Sequence, residues 1–299
     1  MKRLAVVTWL ICLTLGWISL TQAAPASLTY IYGDREPENR CKDCQRAWGL
    51  VTLIEFDGQR ILFDTGGDPA ILEKNMKTLG LDPASLDLAV VSHQHWEMPG
   101  GVSYLVKANP KLKVISTDWT LEDLDGQGIP EANLKEMDKT LPVTPNIILM
   151  KLHSRPMHGG PMGIDEIHVM LKTTQGLVIL QGCGHTEVLD VVPQSQAATG
   201  EKRVYMVSGG LHLLRPGKTV KQPDGSNFTI PSLNYSDAEL EGIADKLKAA
   251  GVQKIVPTHC TGSEAEKIFE KKWGAGYINQ KLGLTIELPA PLPPTAQTL

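Results

Sequence analysis

The sequence predicts one αβ domain in which strands and helices are interleaved. Three observations predict it. Short β-rich runs recur from residue 27 to residue 256, helical spacing appears in separate capped segments between them, and no internal linker divides two compositions. The chain has 299 residues, 42% hydrophobic and 21% charged, with a formal charge of −4. That balance excludes a disordered, collagen-like or multi-span membrane protein. With 5% aromatic residues and a mildly acidic charge, no nucleic-acid partner is expected. Five cysteines are too few for a disulfide scaffold.

Lys2 and Arg3 precede an apolar run from Leu4 to Leu20, followed by Thr21-Gln22-Ala23-Ala24. This is the layout of a secretory signal peptide over residues 1–23, cut after Ala23, with Ala24 and Ala26 as alternative points. An uncleaved anchor is the rival reading, because the run reaches the lower limit for crossing a bilayer. Bulky Leu10 and Ile11 before Cys12 exclude a lipoprotein site. Cleavage leaves 27 basic against 33 acidic residues, a charge of −6. The mature domain, residues 24–288, is expected to work in a periplasm or outside the cell, with no stable membrane insertion.

Ser27–Tyr32 reads as the first strand and Gly33–Gln45 as a polar loop. Val51–Phe56 and Arg60–Phe63 flank Asp57-Gly58, a hairpin signal. Pro69–Leu79 has Ile71, Leu72, Met76 and Leu79 at helical spacing, and Gly80 stops it. Further strands are expected at Leu88–Val91, Lys113–Ser116, Asn146–Lys151, Glu166–Lys172, Leu177–Gln181, Val204–Val207 and Lys254–Val256. Ser236 and Glu239 form a capping box for a helix to Ala250, and Ser263 with Glu266 is expected to open another in the same way. Residues 215–235 look like a surface insertion, and the Pro-rich tail 289–299 is expected to be disordered.

The chemistry concentrates in Ser92-His93-Gln94-His95-Trp96-Glu97-Met98-Pro99-Gly100-Gly101, directly after the strand Leu88–Val91. Residues two apart in an extended segment project to the same side, so His93, His95 and Glu97 can converge. Three more histidines follow β-rich runs beside glycine: His185 in Gly182-Cys183-Gly184-His185, His212 in Gly209-Gly210-Leu211-His212, and His259 in Thr258-His259-Cys260-Thr261-Gly262. Four strand ends carrying histidine are what a metal site at one sheet edge requires, and the glycines let the backbones approach.

These stretches, with Leu62-Phe63-Asp64-Thr65-Gly66-Gly67, resemble the metallo-β-lactamase-fold superfamily from about Gly49 to about Leu288. They are most similar to the branch of the 7,8-dihydropterin-6-methyl-4-(β-D-ribofuranosyl)aminobenzene 5'-phosphate synthases. The resemblance implies an α+β fold, an αββα sandwich of two mixed sheets with helices outside and metals at one end. It implies first-metal ligands His93, His95 and His185. The usual HxHxDH is HQHWEM here, so Glu97 replaces the second-site aspartate and Met98 its histidine. His259 matches the remaining second-site histidine, and His212 lies near the position that often supplies a bridging carboxylate. Asp64 resembles the aspartate beneath the metals, with a role in orienting a ligand histidine.

The expected cofactor is zinc, one ion firmly held and a second on a rebuilt site, with other divalent metals open. Metal-activated water acting on an ester, lactone, thioester or phosphoester of a small molecule is the expected chemistry, with Glu97 as second-metal ligand or proton acceptor. The alternatives are a catalytically silent metal- or ligand-binding protein and a transferase related to the synthases. Cys41-Lys42-Asp43-Cys44 is a lone CxxC, read as a local disulfide or a redox pair. Cys183 and Cys260 are either small buried residues or replacements for the donor lost at Met98. His168 is expected to be structural and His158 to sit in a loop. Gly217-Lys218-Thr219 lacks the earlier glycine of a phosphate-binding loop.

Overall fold

A computed structural model describes residues 26–155, 162–215, 217–230 and 233–293. The proposed signal peptide, His158 and the last six residues lie outside this range.

The first sheet contains β1 (Ser27–Tyr32), β2 (Val51–Phe56), β3 (Gln59–Phe63), β4 (Leu88–Val90), β5 (Lys113–Ser116), β6 (Leu134–Glu136) and β15 (Thr285–Glu287). Their spatial order is β15-β1-β2-β3-β4-β5-β6. The second contains β7 (Thr140–Thr144), β8 (Ile147–His153), β9 (Asp165–Thr173), β10 (Gly176–Gln181), β11 (Val204–Gly210) and β14 (Val252–Thr258), in the order β14-β11-β10-β9-β8-β7. Both sheets are mixed. β3, β4, β5 and β6 run parallel in one, and β10, β11 and β14 run parallel in the other.

Alternation along the strands shows why the sheets stack. In β10, Val178 and Leu180 join the cluster shared with the first sheet, while Leu177 and Ile179 join the cluster beneath helices. Those helices are α4 (Val188–Thr199), α5 (Asp237–Ala249) and α6 (Ser263–Trp273), which contact β8, β10 and β14. α1 (Pro69–Thr78) and α3 (Asp118–Gly126) lie on the first sheet, and α2 (Val102–Ala108) packs against α1. The result is the expected αββα sandwich.

Local chemistry sets the element ends. Asp68 accepts hydrogen bonds from the N–H groups of Ala70 and Ile71 to cap α1, and Ser236 with Glu239 forms the capping box of α5. The opening of α6 differs from expectation. Gly262 is its N-cap, Ser263 hydrogen-bonds to Glu264, and Glu266 turns inward to a bidentate ion pair with Arg35. The insertion at 215–235 carries a two-stranded hairpin, β12 (Lys218–Lys221) with β13 (Asn227–Ile230). The first residues of the Pro-rich tail are docked. Ala290 and Leu292 carbonyls accept from Thr174 N–H and the Asn146 side chain, and Leu292 N–H donates to Lys172. Among the described residues, no helix is long and apolar enough to cross a membrane.

Candidate metal centre

Parallel strands β10, β11 and β14 end on the same edge, which brings Gly182–His185, Leu211-His212 and His259-Cys260 together. β4 delivers Ser92–Glu97 from the first sheet, where Ser92 C=O accepts from Ile167 N–H of β9. Glycine is required at the crossing points. A Cβ on Gly182 would fall 2.1 Å from Ser92 Oγ, and one on Gly209, at φ +127°, would fall 2.0 Å from Gln181 O.

The rings of His93, His95 and His185 form a triangle, with centroid separations of 4.8, 4.7 and 4.6 Å and interplanar angles of 74–83°. Three imidazoles bound to one tetrahedral ion at about 2.0–2.1 Å would have ring centres roughly 5 Å apart. The ring spacing is therefore that of three ligands to one ion, and of the donor atoms those of His93, His185 and Cys183 lie within 4.8 Å of one another. His93 is fully buried and its Nε2 has no hydrogen-bond partner. Burial, and then the neighbouring imidazoles of His185, His95, His259 and His212, push the His93 pKa well below its ordinary value. That keeps the ring neutral, the form that donates an electron pair to a cation.

Its other nitrogen is fixed. Asp64 accepts hydrogen bonds from Ser92 N–H (2.7 Å) and Ser92 Oγ (3.0 Å), and Ser92 Oγ lies 2.8 Å from His93 Nδ1. Asp64 thus reaches a histidine of the triangle through Ser92 rather than directly. It is fully buried, and burial, helped by Glu166, pushes its pKa up to about 8 against two opposing hydrogen bonds from Ser92.

Glu97 and His259 sit beside the triangle, with Oε1 and Nε2 3.8 Å apart and both side chains buried. Burial disfavours the Glu97 carboxylate, but contact with His259 and the nearby His95 outweigh it and hold its pKa below the usual range. Met98 is fully buried and packs in the core shared by the sheets, while its carbonyl accepts from Thr65 N–H and Oγ1. His212 stands against His185 at a ring separation of 4.4 Å, and its Nδ1 lies 3.7 Å from Cys183 Sγ. Cys183 and Cys260 are buried free thiols with sulfurs 3.0 Å apart.

Sequence reasoning missed the residue that holds the His185 loop. Glu166, fully buried on β9, accepts backbone N–H from Cys183 and Gly184 at 2.8 Å and from Thr186 at 3.0 Å. The signal available was a carboxylate inside an otherwise apolar strand pattern. Asp64, His212 and His259 all adopt positive φ (59°, 51° and 45°), conformations that cost about 1–3 kcal/mol each in non-glycine residues and cluster at functional sites.

One wall of the centre borders a cavity of about 390 Å³, lined by Tyr32, Arg46, Trp48, Trp96, Lys218 and Lys221 among others. Trp48 packs on His259 with centroids 4.2 Å apart, and Lys218 Nζ lies 4.8 Å from the Trp48 ring. The polar loop before Trp48 carries the Cys41–Cys44 disulfide, buried against Leu282. His153 pairs with Asp165 at the surface, and His168 is fully buried with neither nitrogen hydrogen-bonded.

Residues 49–188 match the model of the metallo-β-lactamase superfamily. The chain is 28% identical over 284 residues to the 7,8-dihydropterin-6-methyl-4-(β-D-ribofuranosyl)-aminobenzene-5'-phosphate synthase of Methanocaldococcus jannaschii, covering 80% of this chain and 89% of that protein. It shares its fold with Tm1679, a metal-dependent hydrolase of the β-lactamase superfamily, at TM-score 0.68 and 21% identity over 88% of this chain and 99% of the other. A diphosphatase from the PhnP family superposes at TM-score 0.55 and 16% identity over 89% of this chain and 98% of its own. With the sandwich and the strand-end histidines in place, residues 49–188 of this chain match a metallo-β-lactamase superfamily domain.

Proposed function

We propose that the protein is an exported metal-dependent hydrolase acting on an ester, lactone, thioester or phosphoester of a small molecule. The observation that carries this reading is the mutually steep triangle of His93, His95 and His185 around an unpartnered His93 nitrogen. His93, His95 and His185 would hold a zinc ion there. A zinc ion in such a setting supplies an electrophile and brings the pKa of coordinated water from about 15.7 to about 7.

The chain's own groups do the rest. Asp64, through Ser92, holds His93 with Nδ1 engaged and Nε2 free toward the centre. Glu97 presents Oε1 at the edge of the triangle, where it accepts a proton from water or passes one to a leaving group. Trp48 and Trp96 wall the cavity in which the substrate body lies, and Arg46, Lys218 and Lys221 favour an anionic or electron-rich one. The signal-peptide layout and the Cys41–Cys44 disulfide support export to an oxidising compartment.

The test is a panel of generic phosphodiester, lactone and thioester substrates assayed on the mature protein and on His95→Ala. Loss of bound zinc together with turnover is expected, and retained turnover in the variant overturns the reading. The pairing of Glu97 with His259 and the burial of Met98 favour a second reading, a silent binding protein on the same fold. Tight stoichiometric metal with no turnover across the panel would select it.

A further inference from the structure

We propose that Cys183 is a metal ligand, its sulfur serving as the donor shared between the three-histidine set and a second set formed by Glu97 and His259. The inference rests on reading the histidine triangle as a metal centre and names a residue that completes it.

Among the described residues, three groups of donor atoms each lie within 4.8 Å of one another: His93, Cys183 and His185; Glu97, Cys183 and His259; and Cys183, His212 and Cys260. Cys183 is the member common to all three. Its position is fixed rather than incidental. Glu166 holds the N–H groups of Cys183 and Gly184, and the Cys260 thiol donates to the Cys183 carbonyl at 2.8 Å. Cys183 belongs to the apolar core cluster, and its sulfur also lies 3.7 Å from His212 Nδ1 and 3.0 Å from Cys260 Sγ. Here the surrounding side chains include buried imidazoles, and His93 Nε2 and both nitrogens of His259 lack hydrogen-bond partners. The lone pair of His93 Nε2, left without a donor while Nδ1 is engaged by Ser92, is what a cation would satisfy.

Coordination breaks the S–H bond heterolytically. The proton leaves to bulk water and the sulfur lone pair binds the ion. A thiolate beside imidazoles and one carboxylate selects borderline or soft ions such as Zn²⁺, Co²⁺ or Cd²⁺ over Mg²⁺ or Mn²⁺. It also supplies the donor that the family pattern places at Met98.

The experiment uses the mature full-length protein, stripped with chelator and titrated with Cd²⁺, reading ions per chain and the sulfur-to-cadmium charge-transfer absorption. Wild type and Cys260→Ser are expected to show the band, and Cys183→Ser to lose it along with one bound ion. An unchanged band and ion count in Cys183→Ser, while His95→Ala drops the count, overturns the assignment of Cys183 alone. An unchanged count in His95→Ala overturns the metal-centre reading beneath it. X-ray absorption on wild-type zinc protein needs no variant to fold: a sulfur shell near about 2.3 Å is expected, and its absence overturns the proposal. So does thiol titration of the denatured, unreduced protein that finds Cys183 and Cys260 joined as a disulfide.

Discussion

Asp64 and His93, twenty-nine positions apart and on different strands' ends, are linked through one hydroxyl, that of Ser92. Because Ser92 Oγ donates to an oxygen of the Asp64 carboxyl, its lone pairs face His93 Nδ1, which must then carry a proton. That fixes the tautomer with Nε2 free. Asp64→Asn puts an amide NH₂ in place of one of the two oxygens that accept from Ser92 N–H and Ser92 Oγ, and so breaks this relay. Metal affinity is expected to fall about 10–100-fold, the usual cost of losing an outer-shell partner. Chelator competition measures it, and affinity within twofold of wild type would contradict the relay.

The same carboxyl sets a pH signature. Its pKa is about 8 in the fold against an ordinary 3.8, so the folded chain holds this proton more tightly than the unfolded chain does. Stability contributed by the proton is complete below the ordinary value and is lost as pH rises toward about 8. Buried histidines and the thiols titrate as well, but they are common to Asp64→Asn. The metal-free stability of wild type minus that of Asp64→Asn should therefore fall between about pH 4 and pH 8. A difference that rises over this range would be inconsistent with a buried, neutral Asp64.

Glu166 bears on stability rather than chemistry. Its two oxygens accept three backbone N–H groups of the loop that carries His185. In Glu166→Gln an amide NH₂ must face at least one of those donors, leaving it unsatisfied at a cost of about 1–3 kcal/mol. Urea unfolding of the metal-free protein should show that loss without a change in m-value. No measurable loss would mean that the loop is held by other contacts.

What was legible in the sequence follows from which features are local. Histidine at the end of a β-rich run marks His93, and the same signal with glycine close by marks His185, His212 and His259, because the strand end and the close approach both leave a trace in neighbouring residues. Glu166 left almost none, since its partners lie seventeen to twenty positions away. Cys183 was seen only as the neighbour of His185; its place among three donor groups is a tertiary fact. α4 was missed because Val188-Leu189-Asp190-Val191-Val192-Pro193 is β-branched and contains proline, and packing of Val188, Val191 and Val192 on the second sheet overrides that propensity. β15 and β6 are three residues each and carry no pattern of their own.

Trp48 links the cavity to the centre. It lies on His259 on one side and beneath Lys218 on the other. Trp48→Ala removes a wall of the cavity and a cation–π contact of about 0.5–2 kcal/mol. A rise in KM larger than the fall in kcat is expected for whichever substrate the panel identifies, with zinc content unchanged. A fall in kcat alone would place Trp48 in the chemical step instead.

Met98 offers the sharpest comparison with the family pattern. It is fully buried, so a histidine there must either find a partner or sit unsatisfied among Leu and Val side chains. Burying an unpaired polar group costs about 1–3 kcal/mol by mutational measures. Met98→His should therefore destabilise the metal-free protein by that amount. If the new imidazole reaches the ion held by Glu97 and His259, zinc should restore the loss by mass action, by about 2.7 kcal/mol at a hundredfold excess over Kd. Thermal unfolding with and without zinc, read beside elemental analysis, separates the cases. Recovery with an added ion per chain marks a lapsed ligand position. A variant that stays destabilised at saturating zinc shows that position 98 belongs to the core.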